Sequence, residues 1–199
     1  MSSSPPTEER FKINFVTLIE ICEEMVQDGD EHKVCELTPT MFGILKIIVR
    51  NINSKFLIER FIRKTYDYWG KIYEKDIDYF KNLGVELFNM AEDKGIDNML
   101  DGDDRSITGG LKFTHVSLFK NLLSASYIDT SGVTVKIFDD DRVADTWKIM
   151  HSFVKQSILY IHTNRKMVDG SYTNDYFSNV NVKENAEKWR VKNVLSDDN

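Results

Sequence analysis

The sequence is poor in cysteine and proline, and it has no long apolar run. It holds 2 cysteines and 3 prolines in 199 residues. The cysteines, Cys22 and Cys35, form neither a disulfide framework nor a CxxC redox pair, which suits a reducing compartment. No stretch reaches the roughly eighteen apolar residues of a membrane-spanning helix, and the opening MSSSPPTEER lacks the basic start and apolar core of a secretory signal. We therefore expect a protein that neither spans a membrane nor is secreted.

The chain also lacks an excess of positive charge. Its net charge at pH 7 is −6, and it shows no basic stripe of the kind that neutralises nucleic-acid phosphates. Lysines and arginines gather locally at 60–64 and 183–192, and we interpret both patches as solvated helix faces. Apolar residues make up 41% of the chain and charged residues 29%, values that exclude wholesale disorder. No nucleic acid is expected among the partners.

Motifs of the common enzyme classes are missing. The sequence has no GxSxG nucleophile elbow, no GxxxxGK[ST] phosphate loop and no GxGxxG dinucleotide fingerprint. The three aspartates at 139–141 could hold magnesium, but acids before a helix ordinarily cap it and complement its dipole. We predict a non-enzymatic protein with no catalytic residue and no cofactor.

The candidate metal sites are incomplete. Residues 97–108 resemble a calcium-binding EF-hand loop, but Met99 and Thr108 stand where oxygen-rich ligands belong. Cys22, His32 and Cys35 could start a zinc site, but a fourth ligand is missing nearby. A further pair of histidines, 151 and 162, lies about three helical turns apart, too far to share one ion. We predict no metal.

Apolar residues recur with a helical period along most of the chain. We predict a helix that begins at about residue 8 and ends within 27–32, and a second over 37–53 with Pro39 at its first position. A further helical stretch begins with Ser54 as its cap and reaches residue 88, with an apolar stripe from Ile58 to Ile72 and a break near 75–78. The segment 37–53 is apolar nearly all round, which indicates a buried central helix, with a strand as the alternative. Further helices are expected at 115–126, 143–161 and 182–194.

One stretch departs from the helical period. Val133, Val135 and Ile137 alternate after the turn residues Ser131 and Gly132, which is typical of a hairpin. The predicted fold is mostly α, a compact bundle of about seven helices, and it allows one short β-hairpin near 126–138. The predicted organisation is a flexible arm at 1–9, an N-terminal helical subdomain at 10–94, a flexible loop at 95–112 and a C-terminal helical subdomain at 113–199, packed on the first.

The stretch TYDYWGKIYEKDIDYF, residues 65–80, holds six aromatic residues in sixteen positions. In a helix, Thr65, Trp69 and Ile72 share one face with Asp76. A lone buried carboxylate is unfavourable, so we predict that Asp76 caps the next helix by accepting a hydrogen bond from a backbone N–H near residue 79.

The tyrosines of this stretch spread around the helix, so some must face solvent. Exposed aromatic rings are typical of protein interfaces, and the predicted contact residues are Tyr66, Tyr68, Trp69 and Tyr73.

Residues 56–88 resemble a segment in poorly characterised helical proteins of large nucleocytoplasmic DNA viruses, the iridoviruses and their relatives. The resemblance covers 33 of the 199 residues. The shared residues are Phe61, Ile62, Trp69, Ile72, Asp76, Phe80 and Phe88. The resemblance implies a viral protein of the host cytoplasm or the virion, and it carries no catalytic residue to transfer.

The short motif YWGKI, residues 68–72, is similar to the Asn-Trp-Gly-Arg-Ile signature of B-cell-lymphoma-type apoptosis regulators. That family consists of small helical proteins whose groove binds an amphipathic helix. Tyr68 replaces the asparagine, and Lys71 replaces the arginine that forks onto a peptide carboxylate. The glycine-rich stretch expected just after the signature and the C-terminal membrane tail are both missing.

From these observations we expect a structural or accessory protein of a large DNA virus that acts through protein–protein contacts. Its surface aromatics would mediate assembly. The expected partners are other proteins of viral origin, and a homo-oligomer is compatible with the sequence. The alternative is a viral apoptosis regulator that binds an amphipathic helix in a groove.

Overall fold

The computed structural model describes residues 5–80, 82, 121–164, 167–168 and 171–172. This part of the chain is mostly helical and contains about six helices, which confirms the predicted fold class. The helices are α1 (Thr7–Glu31), α2 (Pro39–Asn51), α3 (Ser54–Thr65), a 3₁₀ turn (Tyr66–Tyr68), α4 (Trp69–Glu74) and α5 (Asp140–Asn164). The strands are β1 (Ser126–Ile128), β2 (Thr134–Lys136), β3 (Met167–Val168) and β4 (Ser171–Tyr172). Residues 77–80 and 121–123 are helical as well.

The described residues cluster into two compact units. The first contains residues 5–17, 49–75 and 147–164, and the second contains 18–48, 76–80 and 121–146. The predicted loop at 95–112, which would separate two subdomains, lies outside the described residues, so that division stays a prediction. Helix α1 begins at Thr7, within the predicted arm.

Three phenylalanines from three helices form the centre of the first unit. Phe11 of α1 packs against Phe61 of α3 and Phe153 of α5, with ring centroids 5.2 and 4.7 Å away. Phe61 and Phe153 are 5.3 Å apart, so the three rings contact one another mutually. The apolar stripe predicted from residue 58 to residue 72 is buried here at Ile58, Ile62, Trp69 and Ile72. The helical period of the sequence therefore identifies the packed face correctly.

The break predicted near 75–78 is present. Lys75 adopts a left-handed conformation (φ 52°) and ends α4, with its N–H bonded to Ile72 O. Asp76 then accepts a hydrogen bond from the Tyr79 N–H at 2.9 Å, which confirms the predicted cap. A second interruption, the 3₁₀ turn at Tyr66–Tyr68, was not expected. The cap of α3 is Asn53 rather than the predicted Ser54, because Asn53 Oδ1 accepts from the N–H groups of Lys55 and Phe56.

Replacing Asp76 by alanine is expected to lower the free energy of unfolding by about 1 kcal/mol, because the N–H of Tyr79 loses its acceptor. Asp76→Asn keeps a capping oxygen and should stay within a few tenths of a kcal/mol of wild type. Urea denaturation of the three proteins measures both changes. Equal losses in the two variants would show that the contribution of Asp76 is its charge rather than its cap.

The second unit is organised around the end of α1. The helix extends to Glu31 and closes with Lys33 in a left-handed conformation (φ 57°). The N–H of Val34 bonds to Gly29 O and that of Lys33 to Asp30 O, the hydrogen-bond pattern of a Schellman motif. The sequence predicted that this helix would end within 27–32, and the observed end lies inside that window.

Arg142, in the first turn of α5, forms hydrogen bonds with three other positions of the second unit. Its guanidinium donates to Asp28 of α1 and to Ile137 O after β2, the latter at 2.6 Å. Its backbone N–H donates to Asp139 Oδ1 at 2.8 Å. The aspartate at 139 therefore caps α5, as the sequence predicted for the acids that precede this helix.

The predicted hairpin near 126–138 is confirmed. Tyr127 lies opposite Val135 in an antiparallel pair, and Gly132 takes the positive φ of 80° that the turn requires. Asp129 Oδ1 holds the turn by accepting from the N–H groups of Ser131 and Val133. A second antiparallel pairing, β3 with β4, was not predicted.

The prediction that α2 is a buried central helix is wrong. The segment is helical, which excludes the strand alternative, but Ile44 and Ile47 are 55% and 60% exposed. Only Phe42 and Val49 of this helix are buried. Because apolar residues occur nearly all around α2, tertiary contacts decide which of its faces is packed, and the sequence pattern alone could not identify that face.

Candidate protein interface

The structure separates the four predicted contact residues by burial. Trp69 is fully buried and its Nε1–H donates to Thr65 Oγ1 at 3.0 Å, so its ring is not available to a partner in this conformation. Tyr66 and Tyr68 are half-buried in the 3₁₀ turn. Tyr73 is 41% exposed. Of the four, Tyr73 presents the most ring surface to solvent.

The ring of Tyr73 is positioned by a histidine that is distant in sequence. It stacks on the half-buried imidazole of His151, with ring centroids 5.8 Å apart and an interplanar angle of 29°. His151 Nε2 lies 2.9 Å from Ile72 O, and a carbonyl can only accept, so this nitrogen carries the hydrogen. Ile72 is itself buried. The exposed tyrosine thus lies beside an imidazole that α5 and α4 hold in place. We call Tyr73 and His151 the aromatic pair.

Sequence reasoning missed His151 as a neighbour of Tyr73. Tyr73 lies about eighty residues earlier in the chain, and no local pattern links two positions so far apart. Only the packing of α4 on α5 brings them together.

The YWGKI motif has a local explanation in the structure. Trp69 and Ile72 of the motif are core residues. The ammonium of Lys71 lies 3.5 Å from the carboxylate of Glu74, one turn later in the same helix. Both side chains are largely solvated, so this pair is weak and another carboxylate could replace Glu74. The groove-binding alternative stays a prediction.

The thiols and His32 do not converge on a metal. Burial raises the pKa of the Cys22 thiol to about 12, so it stays protonated at neutral pH and is a poor nucleophile and ligand. Cys35 Sγ accepts from the Leu37 N–H at 3.3 Å. His32 stacks on Tyr127, with centroids 3.5 Å apart. Within the part of the chain that the structure describes, no group of three or more His, Cys, Asp or Glu is arranged to hold an ion.

Several candidate segments lie outside the described residues. They include the EF-hand-like loop at 97–108, the basic patch at 183–192 and the side chain of His162. The expectations for these segments stay predictions, and so does the expectation that the protein is not an enzyme.

Comparison of the chain with protein-family models, with curated proteins and with solved structures finds no match. None of the helices in the described ranges has the length and apolar character needed to cross a membrane.

Proposed function

We propose that the protein is a non-enzymatic interaction protein, a structural or accessory component of a large DNA virus, and that Tyr73 anchors its contact with another folded protein. The observation that carries the proposal is the geometry of the aromatic pair. Tyr73 is 41% exposed, yet its ring stacks on His151, which is hydrogen-bonded to the backbone of α4.

A positioned tyrosine is well suited to binding another protein. Tyrosine supplies a large contact area and a hydroxyl group, and it has few rotatable bonds to order on binding. Stacking on His151 restricts those bonds before a partner arrives, which lowers the entropy lost on association. Residues that dominate interface energetics are enriched in tyrosine for these reasons.

The viral part of the proposal is supported only by the resemblance of residues 56–88. In the structure, Ile62, Trp69 and Ile72 of that resemblance are core residues, and Asp76 is the cap. Phe61 and Phe80 are half-buried, and Phe88 lies outside the described residues. The resemblance therefore concerns how this segment folds, whereas the contact role is supported by Tyr73, which is not among the shared residues.

A quantitative binding experiment tests the contact role. Partners are captured from the cells that make the protein, identified by mass spectrometry, purified and titrated against wild type, Tyr73→Ala and Tyr73→Phe. We expect Tyr73→Ala to weaken binding by at least about tenfold, the effect of an interface anchor, because it removes the ring. Tyr73→Phe keeps the ring and its stacking on His151 and should stay within about threefold of wild type.

Two controls separate binding from folding. Tyr73→Ala shortens a side chain that is 41% exposed, so its Tm should fall by no more than about 5 °C. Lys55→Ala alters a similarly exposed residue at the start of α3 and should leave affinity unchanged. Wild-type affinity in Tyr73→Ala for every purified partner would refute the contact role.

A further inference from the structure

Three buried polar atoms of the first unit have no hydrogen-bond partner among the described residues. Two of them are the donor Nε of Arg10 on α1 and the acceptor Oε1 of Gln156 on α5. A buried donor or acceptor without a partner loses its hydration and receives nothing in return, so native proteins rarely leave one unsatisfied. Ser157 Oγ is in the same position, but a serine inside a helix can turn onto the carbonyl four residues earlier. Arg10 and Gln156 have no such local solution.

A short line of hydrogen bonds runs between α1 and α5. Asn14 Nδ2 donates to Ser152 Oγ at 2.7 Å, and Gln156 Nε2 donates to the same oxygen at 3.1 Å. Because the amide nitrogen of Gln156 is directed at Ser152, its Oε1 points away from Ser152. The line of hydrogen bonds therefore ends at Gln156 Oε1, a buried acceptor.

The contacts with α3 show how α1 and α5 run past each other. Glu9, near the start of α1, accepts from Ser54 Oγ at the start of α3. Glu59, in the middle of α3, accepts from the hydroxyl of Tyr160, whereas His151, earlier in α5, lies against Ile72 O of α4. Along α5 the contacts therefore pass from α4 back to α3, while along α1 they pass from Ser54 forward to Phe61, so α1 and α5 are antiparallel. Arg10, one turn before Asn14, then lies opposite Gln156, one turn after Ser152.

We propose that one bound water molecule bridges Arg10 Nε–H and Gln156 Oε1. The water accepts from the arginine and donates to the amide oxygen. This extends the line to Arg10–water–Gln156–Ser152–Asn14. Buried waters are found where otherwise unsatisfied polar groups face one another, and they are costly to remove. The bridge adds a polar contact that fixes the register of α1 on α5 beside the phenylalanine cluster.

The coupling between the two side chains is tested by thermal unfolding of Arg10→Leu, Gln156→Leu and the double variant. Each single change leaves its partner and the water with one fewer bond, so each should lower the Tm by about 2–6 °C. The double change removes the donor and the acceptor together, and its Tm should lie above that of at least one single variant. A double variant whose Tm falls by the sum of the two single shifts would overturn the bridge.

A crystal structure of the full chain at high resolution distinguishes a water from a direct partner. The proposal requires a single peak within about 2.7–3.2 Å of both Arg10 Nε and Gln156 Oε1. A direct bond between the two side chains, or a side chain from another segment on either atom, would overturn it. Lys55→Ala serves as the control in the unfolding experiment, since this exposed residue takes no part in the line.

Discussion

Replacing Trp69 by alanine is expected to lower the free energy of unfolding by about 3–5 kcal/mol. The side chain is fully buried, so the change opens a cavity, and the surrounding helices can collapse into it only in part. The hydroxyl of Thr65 also loses the Nε1–H donor. Such a loss is a large part of the roughly 5–15 kcal/mol that a typical domain has in total. Urea denaturation, followed by circular dichroism, measures it.

Trp69→Phe is the matched variant for this experiment. It keeps most of the buried ring and removes the indole N–H, so its loss should be clearly smaller than that of the alanine variant. A Trp69→Ala protein within 1 kcal/mol of wild type would contradict the burial of this residue. The comparison also matters for the interface, because Trp69 supports the helix that carries Tyr73.

Gly29→Ala is expected to destabilise the protein by about 1–3 kcal/mol, although alanine normally favours a helix. An added Cβ would lie 2.6 Å from Cys35 Cβ and 2.7 Å from Leu122 Cδ1. The chain after α1 turns back so closely that Gly29 O accepts from both Val34 and Cys35. The terminal methyl group of Leu122 can move to relieve its contact, but Cys35 Cβ is bonded directly to the backbone and can move only with it.

Gly70→Ala is expected to stabilise the protein, which is the opposite of the effect of Gly29→Ala. In α4, a Cβ added at Gly70 meets nothing within 4 Å, so only the helix preference changes. We expect a gain of about 0.5–1 kcal/mol. Denaturation curves of Gly29→Ala and Gly70→Ala, measured under the same conditions as wild type, test both predictions. A neutral or stabilising Gly29→Ala would show that the turn after α1 relaxes freely.

Local features of the fold could be predicted from the sequence. The cap at Asp76, the stripe through Trp69, the Ser131–Gly132 turn and the acids before α5 all depend on residues a few positions apart. Such patterns act through backbone hydrogen bonds and helix periodicity, which a sequence displays directly. Each of these predictions is confirmed.

Features that depend on distant contacts could not be predicted. Apolar residues occur nearly all around α2, so its neighbours decide which face is packed, and the sequence did not indicate that Ile44 and Ile47 are exposed. The close approach at Gly29 and the stacking of Tyr73 on His151 join residues from different segments. For the candidate interface, the sequence named Tyr73 as a contact residue but gave no sign of the histidine that holds it. It placed Trp69 both on the apolar stripe and among the contact residues, and the structure agrees with the burial.

A photo-crosslinking amino acid in place of Tyr73 tests the central claim most directly, that this exposed ring contacts another protein. The same amino acid at the exposed Lys55 is the control. Irradiation in the cells that make the protein should join position 73 to one or a few defined proteins, a second copy of the chain counting as one of them, while position 55 gives none of these products. No discrete product from position 73, or the same products from both positions, would contradict the claim.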